Sequence, residues 1–313
     1  MSNSLWGRLE DPSGDAGYEQ HPPRMGFFTD TSVCIGCKAC EVACKEWNEV
    51  PDDGYVLSGM SYDNTQALGA STWRHVAFVE KPLATPPARP ATDLGMPSFD
   101  LPGAGGSLPH GEDQATQSGA EDGDAGIRWL MSSDVCKHCT HAACLDVCPT
   151  GSLFRTEFGT VVVQPDICNG CGYCVPACPY GVIDLRKEDG RAFKCTLCYD
   201  RLKEGQTPAC AQACPTESIQ YGEVSELRER AAARVEELHA KGVDVARLYG
   251  ADPDDGVGGD GAFFLLLDEP EVYGLPPDPV VTTRDLSSIW KHVGAAAGTL
   301  VALGAASFVG RRR

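Results

Sequence analysis

Residues 168–179 read CNGCGYCVPACP. This C-x2-C-x2-C-x3-C-P run is the bacterial ferredoxin spacing for a cubane 4Fe–4S cluster. Cys168, Cys171 and Cys174 lie within seven residues and must wrap one compact object. Cys178, three residues further on, points elsewhere and is expected to serve a neighbouring cluster. Gly170 and Gly172 let the backbone turn tightly around the sulfurs. Pro179 disfavours helix at Cys178 and stops the turn that carries it. A zinc ion needs four ligands in all and takes two from each CxxC knuckle, which fits this run less well.

Just upstream, Cys136, Cys139, Cys144 and Cys148 repeat the device with a longer middle loop, again followed by proline. Between the two groups, residues 159–166 (GTVVVQPD) read as a strand. Two half-modules back to back suggest one two-cluster ferredoxin. The chain's sixteen cysteines sort without remainder into four such groups. The first is Cys34, Cys37, Cys40 and Cys44; the last is Cys195, Cys198, Cys210 and Cys214. Every group ends in C-x3-C, and only the first lacks the following proline. Disulfide cysteines would not repeat such a period. Four 4Fe–4S clusters with no spare thiol are therefore expected. Zinc is a weaker reading, best suited to the last group.

Composition narrows function further. A formal net charge of −18 over 313 residues makes nucleic acid an unsuitable partner, since phosphate would repel the chain. No G-x-G-x-x-G or P-loop appears, so nicotinamide binding is unsupported. No C-x3-C-x2-C triad occurs, which argues against a radical S-adenosylmethionine enzyme.

In chain order, residues 1–24 read as a disordered tail without a signal peptide. Residues 25–80 and 127–224 form the four-cluster core, with strands at the start of 25–47, at 72–80 and at 127–131. Residues 81–126 carry seven prolines and seven acids and read as a disordered insertion. Lys38 and Lys45 flank the first group, either offsetting cluster charge or facing solvent. His138 and His141 sit among the second group, where four thiols already suffice, and read as supporting residues rather than ligands. Residues 182–186 and 191–195 read as a hairpin turning at Asp189-Gly190.

Residues 225–285 are expected to pack on the core. They hold a helix over 225–241 capped by Ser225, with a stripe of Leu227, Ala231, Val235 and Leu238 and a stop at Gly242, then a buried strand at 262–267. The acidic loop 251–261 lacks the spacing of a calcium loop. Residues 286–313 carry eighteen uncharged residues after His292 and three terminal arginines. They read as a single transmembrane helix with a cytoplasmic C-terminus, leaving the cluster domain on the outer face of the cell membrane. The expected fold class is α+β: two pseudo-symmetric ferredoxin-like modules, loop-rich, with that helix appended.

The motifs CIGCKACEVACKEWN, KHCTHAACLDVCPTGS, CNGCGYCVPACPYG and KCTLCYDRLKEGQTPACAQACPT, in this order, resemble the iron–sulfur (beta) subunit of membrane-bound, molybdenum- or tungsten-dependent formate dehydrogenase. GVGG, LDEPEVYGLPPDP and the Trp290-Lys291 helix agree. The cysteine pattern alone is shared with relatives serving nitrate, sulfoxide, thiosulfate or polysulfide enzymes. The resemblance implies a non-catalytic electron conduit between a pterin-bound metal subunit and a quinone-reducing membrane subunit such as a cytochrome b. Export would then occur in the folded state, on a partner's signal. The resemblance also implies nested ligation: Cys34, Cys37, Cys40 and Cys214; Cys44, Cys195, Cys198 and Cys210; Cys136, Cys139, Cys144 and Cys178; and Cys148, Cys168, Cys171 and Cys174. Spacing alone leaves open whether the third group pairs with the second or the fourth.

Overall fold

The computed structural model describes residues 11–54, 59, 62, 63, 65–82 and 127–310. Among these residues are ten strands: β1 (Met25–Asp30), β2 (Arg74–Pro82), β3 (Ile127–Val135), β4 (Leu153–Arg155), β5 (Val161–Val163), β6 (Asp184–Leu185), β7 (Ala192–Phe193), β8 (Ile219–Glu223), β9 (Arg247–Tyr249) and β10 (Ala262–Leu266). Among the described residues eight α-helices or single α-helical turns accompany them: α1 (Pro12–Asp15), α2 (Ala39–Trp47), α3 (Ala143–Asp146), α4 (Cys174–Ala177), α5 (Tyr199–Lys203), α6 (Ala209–Gln212), α7 (Val224–Ala240) and α8 (Leu286–Gly310). Two units are distinguished. One comprises residues 1–79 and 131–313; the described residues of the other, 80–130, belong to β2 and β3.

The largest sheet runs β8-β1-β10-β9. β1 pairs antiparallel with β8 and parallel with β10, in the register Phe27↔Ala262 and Phe28↔Phe263. All five residues of β10 are buried, as its unbroken apolar run requires of a strand covered on both faces. Side chains alternate across β1. Phe28 points to α7, where it stacks on Phe263 with ring centroids 5.5 Å apart and joins Leu227, Ala231 and Leu238. Each buried Phe or Leu here contributes roughly 1.5–3 kcal/mol. Phe27 points the other way, under the guanidinium of Arg74, 4.9 Å from its ring.

The stripe expected on α7 is the packed one, with Val235 partly buried beside it. The expected Ser225 cap is not used. β8 runs straight into α7, so the backbone switches at Glu223 and Ser225 falls inside the helix. Gly242 ends it at φ 83°, with its N–H donating to the His239 carbonyl.

A second core forms on the β4–β5 hairpin. Leu153, Val161, Val163, Ile183 and Ala192 pack there with Cys144, Cys148, Cys168, Cys174 and Cys178 around them. β6 and β7 form the expected short hairpin. Of the stretch read as a disordered tail, residues 11–24 include the single turn α1, capped by Asp11, and residues 1–10 lie outside the described residues. So do residues 83–126 of the expected insertion and the arginines 311–313.

The C-terminal segment is helical, but among the described residues no helix is long and apolar enough to cross a membrane. This corrects the expected transmembrane helix, and with it the single-pass membrane location and cytoplasmic C-terminus that rested on it. Lys291 and His292 stand inside α8, so its apolar part begins only at Val293. Ten of the eighteen residues 293–310 are alanine or glycine, which contribute little apolar area. α+β with ferredoxin-like dicluster modules is the fold class that stands.

Opposite glycines of the β1–β8 pair predict opposite outcomes. A Cβ on Gly26 would sit 2.0 Å from the carbonyl oxygen of Gly261, which is backbone and cannot swing away, whereas one on Gly222 would meet Leu227 at an ordinary 3.6 Å. Gly26→Ala should destabilise by about 1–3 kcal/mol or more. Gly222→Ala should stay within about 0.5 kcal/mol of the parent. Thermal unfolding of the two variants of the iron-loaded chain checks this.

Candidate metal centre

All sixteen cysteines are described, and none is in a disulfide. Each group enters from a strand end and turns through left-handed backbone that only a fixed object inside the loop makes worthwhile. β1 passes into a 3-10 turn at Thr31–Val33, whose Ser32 N–H is held by Asp30 at 2.9 Å. Cys34 then leaves in extended conformation (φ −70°, ψ 126°), Gly36 and Lys38 adopt positive φ, and α2 carries Cys40 and Cys44. The third group repeats this: a 3-10 turn at Pro165–Ile167, Cys168 at φ −70°, ψ 122°, positive φ at Gly170 and Gly172, then Cys174 on α4. In the other two groups non-glycine residues take the strained positions, His138 in one and Leu197 and Cys198 in the other.

The thiols converge across groups. A small void is lined by Cys136, Cys139, Cys144 and Cys178 together with His138 and Lys194. A second is lined by Cys34, Cys37, Cys40 and Cys214. The remaining eight sort by mutual electrostatics. Burial raises the Cys44 thiol, and Cys195, Cys210 and Cys198 raise it further. Burial pushes Cys174 up to about 11, with Cys168, Cys171 and Cys148 adding to it. Burial likewise takes Cys144 and Cys195 to about 12, and Cys40 and Cys198 to about 11. Thiols held so high are protonated when bare, so metal loading must release protons.

Cys40 is also raised by Cys210, Cys195 by Cys136, and Cys144 by Cys174 as well as by Cys178 and Cys136. Cys37 and Cys171 are the two exposed cysteines.

The donor set fits iron–sulfur clusters. Among the described residues no three His, Cys, Asp or Glu side chains stand close enough to hold a single metal ion. Four thiols around a cubane must stand wider apart than four around one zinc. Buried donors also lack protein partners here. His138 lines the first of these voids; its Nδ1 accepts the Val161 N–H at 3.1 Å, so its proton sits on Nε2, which is buried and unpartnered. Burial, then Lys194 and Arg155, keep this imidazole neutral. Arg74 Nε is likewise buried without a partner. An orphaned buried N–H is costly unless something accepts from it.

Several groups donate directly to sulfur. Arg74 Nη2 reaches Cys210 Sγ at 3.1 Å, and the Ala192 and Leu197 N–H groups reach Cys168 and Cys195 at 3.4 and 3.3 Å. Ser133 Oγ lies 3.2 Å from Cys40 Sγ. Sequence reasoning missed Arg74, Ser133 and Lys194. The available signal was an arginine inside the apolar strand 72–80. Lys38 and Lys45, which it did single out, are paired with Glu41 at 3.1 Å and Asp53 at 2.6 Å. Their charge is largely neutralised before it reaches the thiols. In the acidic loop, Asp255 accepts the Val257 and Gly259 N–H groups, and Asp260 accepts the Tyr180 hydroxyl at 2.7 Å.

Models of the 4Fe–4S dicluster domain match residues 33–152 and 127–224. The iron–sulfur subunit of the nitrate-inducible formate dehydrogenase of Escherichia coli (strain K12) is 37% identical, over 99% of this chain and 88% of its own length. The formate dehydrogenase iron–sulfur subunit of Haemophilus influenzae is 36% identical over 87% of this chain and 74% of its own. A subunit of the anaerobic dimethyl sulfoxide reductase of E. coli is 31% identical, over 66% of this chain and 77% of its own length. With two dicluster modules for four 4Fe–4S clusters and a near-full-length match, the chain belongs to the family of formate dehydrogenase iron–sulfur subunits, and is an electron-transfer subunit rather than a catalytic enzyme.

Proposed function

We propose that this chain is the electron conduit of a formate dehydrogenase complex, taking electrons from a molybdenum- or tungsten-pterin subunit and delivering them to a quinone-reducing membrane subunit. At family level the role is transfer through iron–sulfur clusters between a catalytic oxidoreductase subunit and a membrane partner. The clusters supply one-electron redox chemistry; the chain spaces them, excludes water and sets their potentials through hydrogen bonds and charge.

The ligand sets in this proposal are Cys34, Cys37, Cys40 and Cys214 for the first cluster, and Cys44, Cys195, Cys198 and Cys210 for the second. Cys136, Cys139, Cys144 and Cys178 serve the third; Cys148, Cys168, Cys171 and Cys174 serve the fourth. The observation that carries it is that each of two voids gathers three thiols of one group and the last thiol of another. The mutual electrostatic influence of Cys40 and Cys210, Cys195 and Cys136, and Cys144 and Cys174 favours the linear order first, second, third, fourth. Exposed Cys37 and Cys171 then belong to the two terminal clusters, where electrons enter and leave.

Formate as the partner's substrate is favoured over nitrate, sulfoxide, thiosulfate or polysulfide because the formate dehydrogenase relative matches through the C-terminal part. The sulfoxide reductase relative matches 66% of the chain.

Two measurements test this reading. Formate added to the complex purified anaerobically from its native membranes should by itself generate reduced 4Fe–4S signals in low-temperature EPR. Reduction by dithionite alone would leave the conduit standing and overturn formate. For the ligand sets, Cys178→Ser should alter the same cluster's signal as Cys136→Ser and a different one from Cys171→Ser. Cys178→Ser acting on the Cys171 cluster would sink the third and fourth assignments.

A further inference from the structure

Arg74 is the first residue of β2, 2% exposed, and lies inside the cysteine-bearing core rather than at its surface. Its guanidinium touches both sides of one boundary. Nη2 donates to Cys210 Sγ at 3.1 Å. Nη1 donates to the Ser133 carbonyl at 3.2 Å and approaches Ser133 Oγ at 3.4 Å, and that hydroxyl lies 3.2 Å from Cys40 Sγ. A continuous polar path thus runs Cys40–Ser133–Arg74–Cys210. One face of the guanidinium is closed by the Phe27 ring, which β1's alternation turns inward. Among the described residues no carboxylate pairs with it; the opposite charges facing it are the thiols of Cys210, Cys40, Cys195 and Cys44. An arginine is permanently charged, so this is a fixed positive charge in a water-poor interior. Unlike Lys38 and Lys45, it is not neutralised by an acid.

On the ligand sets proposed above, Cys40 belongs to the first cluster and Cys210 to the second. We infer that Arg74 is a counter-charge shared by these two clusters, which raises both of their reduction potentials and eases the repulsion between them when both are reduced. Each oxidised cluster with four thiolates carries roughly −2, and an added electron makes it more negative. A cation in hydrogen-bond contact with the ligands therefore favours the reduced form of each. In low dielectric that preference is far larger than a surface lysine would give. It also falls off with distance, so the third and fourth clusters lie largely outside it. Arg74 acts through the ligands and is a positioning and tuning residue, not a catalytic one.

The test is a redox titration of the whole purified complex, followed by EPR, with Arg74→Gln and Arg74→Lys. At a fixed solution potential, Arg74→Gln should lower the reduced-to-oxidised ratio of two clusters at least tenfold, about 59 mV each for a one-electron couple. The other two should stay where they are. Arg74→Lys, keeping the charge, should recover most of the shift. Unchanged potentials in Arg74→Gln overturn the inference, as does an equal shift of all four clusters, or a Lys variant as low as Gln. If Arg74→Gln does not load iron, iron counting decides. Loss of two clusters with rescue by Lys sustains the shared counter-charge. Loss of all four, or no rescue, overturns it. Cys40→Ser and Cys210→Ser run beside these separate the two layers of argument. If both alter one and the same cluster, the ligand sets fail independently of anything Arg74 does.

Discussion

The protein's core depends on thiols from distant parts of the chain meeting around common centres. Cys214 reaches the void lined by Cys34, Cys37 and Cys40, although 170 residues or more separate it from them in sequence. Hydrophobic burial alone is modest here. The strands β4 to β7 are two or three residues long, and the core beside them includes the cysteines themselves. Closing loops of that length costs chain entropy, which short hairpins cannot offset. Four thiolates bound to one cluster can, because ligation free energy then becomes folding free energy. The left-handed His138, Leu197 and Cys198 fit the same account: backbone strain persists where the surroundings over-determine it.

Much of this was legible in the sequence because cysteine spacing is a local, rigid constraint. The period of the groups gave the number of clusters, and strand and hairpin signals placed β1, β2, β5 and β6–β7 within a few residues. The helix stripe Leu227, Ala231, Val235 and Leu238 is the face that packs. What escaped was non-local. Nothing in residues 25–30 announces that β1 lies parallel to β10, some 230 residues on, or that Phe27 will cover an arginine. The C-terminal helix shows a different failure. Eighteen uncharged residues come near the length of a span, but an alanine- and glycine-rich stretch preceded by Lys291 and His292 is uncharged without being strongly apolar.

Several cations are buried beside the thiols of an otherwise acidic chain. The chain carries a formal −18, yet Arg74, Lys137, Lys194 and Arg155 are all buried. Lys194 donates to the carbonyls of Val161 and Cys195, and its charge lowers Cys144 against the larger effect of burial. Arg155 donates to the carbonyls of Gly159, Cys139 and Thr140. Lys137 is paired with Asp134 and lies over the Phe264 and Tyr180 rings. An isolated buried cation is strongly unfavourable. Four buried clusters at roughly −2 apiece would be unfavourable too. Each burden relieves the other, so the cations belong to the loaded protein.

That coupling bears on how potentials can differ along a chain of chemically identical clusters. Thiolate number is the same throughout, so differences must come from hydrogen bonds, exposure and nearby charge. The four sites differ in these terms. In the proposed assignment the fourth cluster takes the exposed Cys171, and Cys148, raised by burial, is held low by backbone N–H groups together with the Thr150 hydroxyl. In the proposed assignment, Cys44, Cys195, Cys198 and Cys210 share the second cluster; all four are buried, and Arg74 and the Leu197 N–H donate to two of them. Burial disfavours the more negative reduced state while a buried cation favours it, so the innermost sites are the ones that need such a residue. The surface lysines beside the first group, already paired with Glu41 and Asp53, cannot meet that need, and one arginine at the start of an otherwise ordinary strand can.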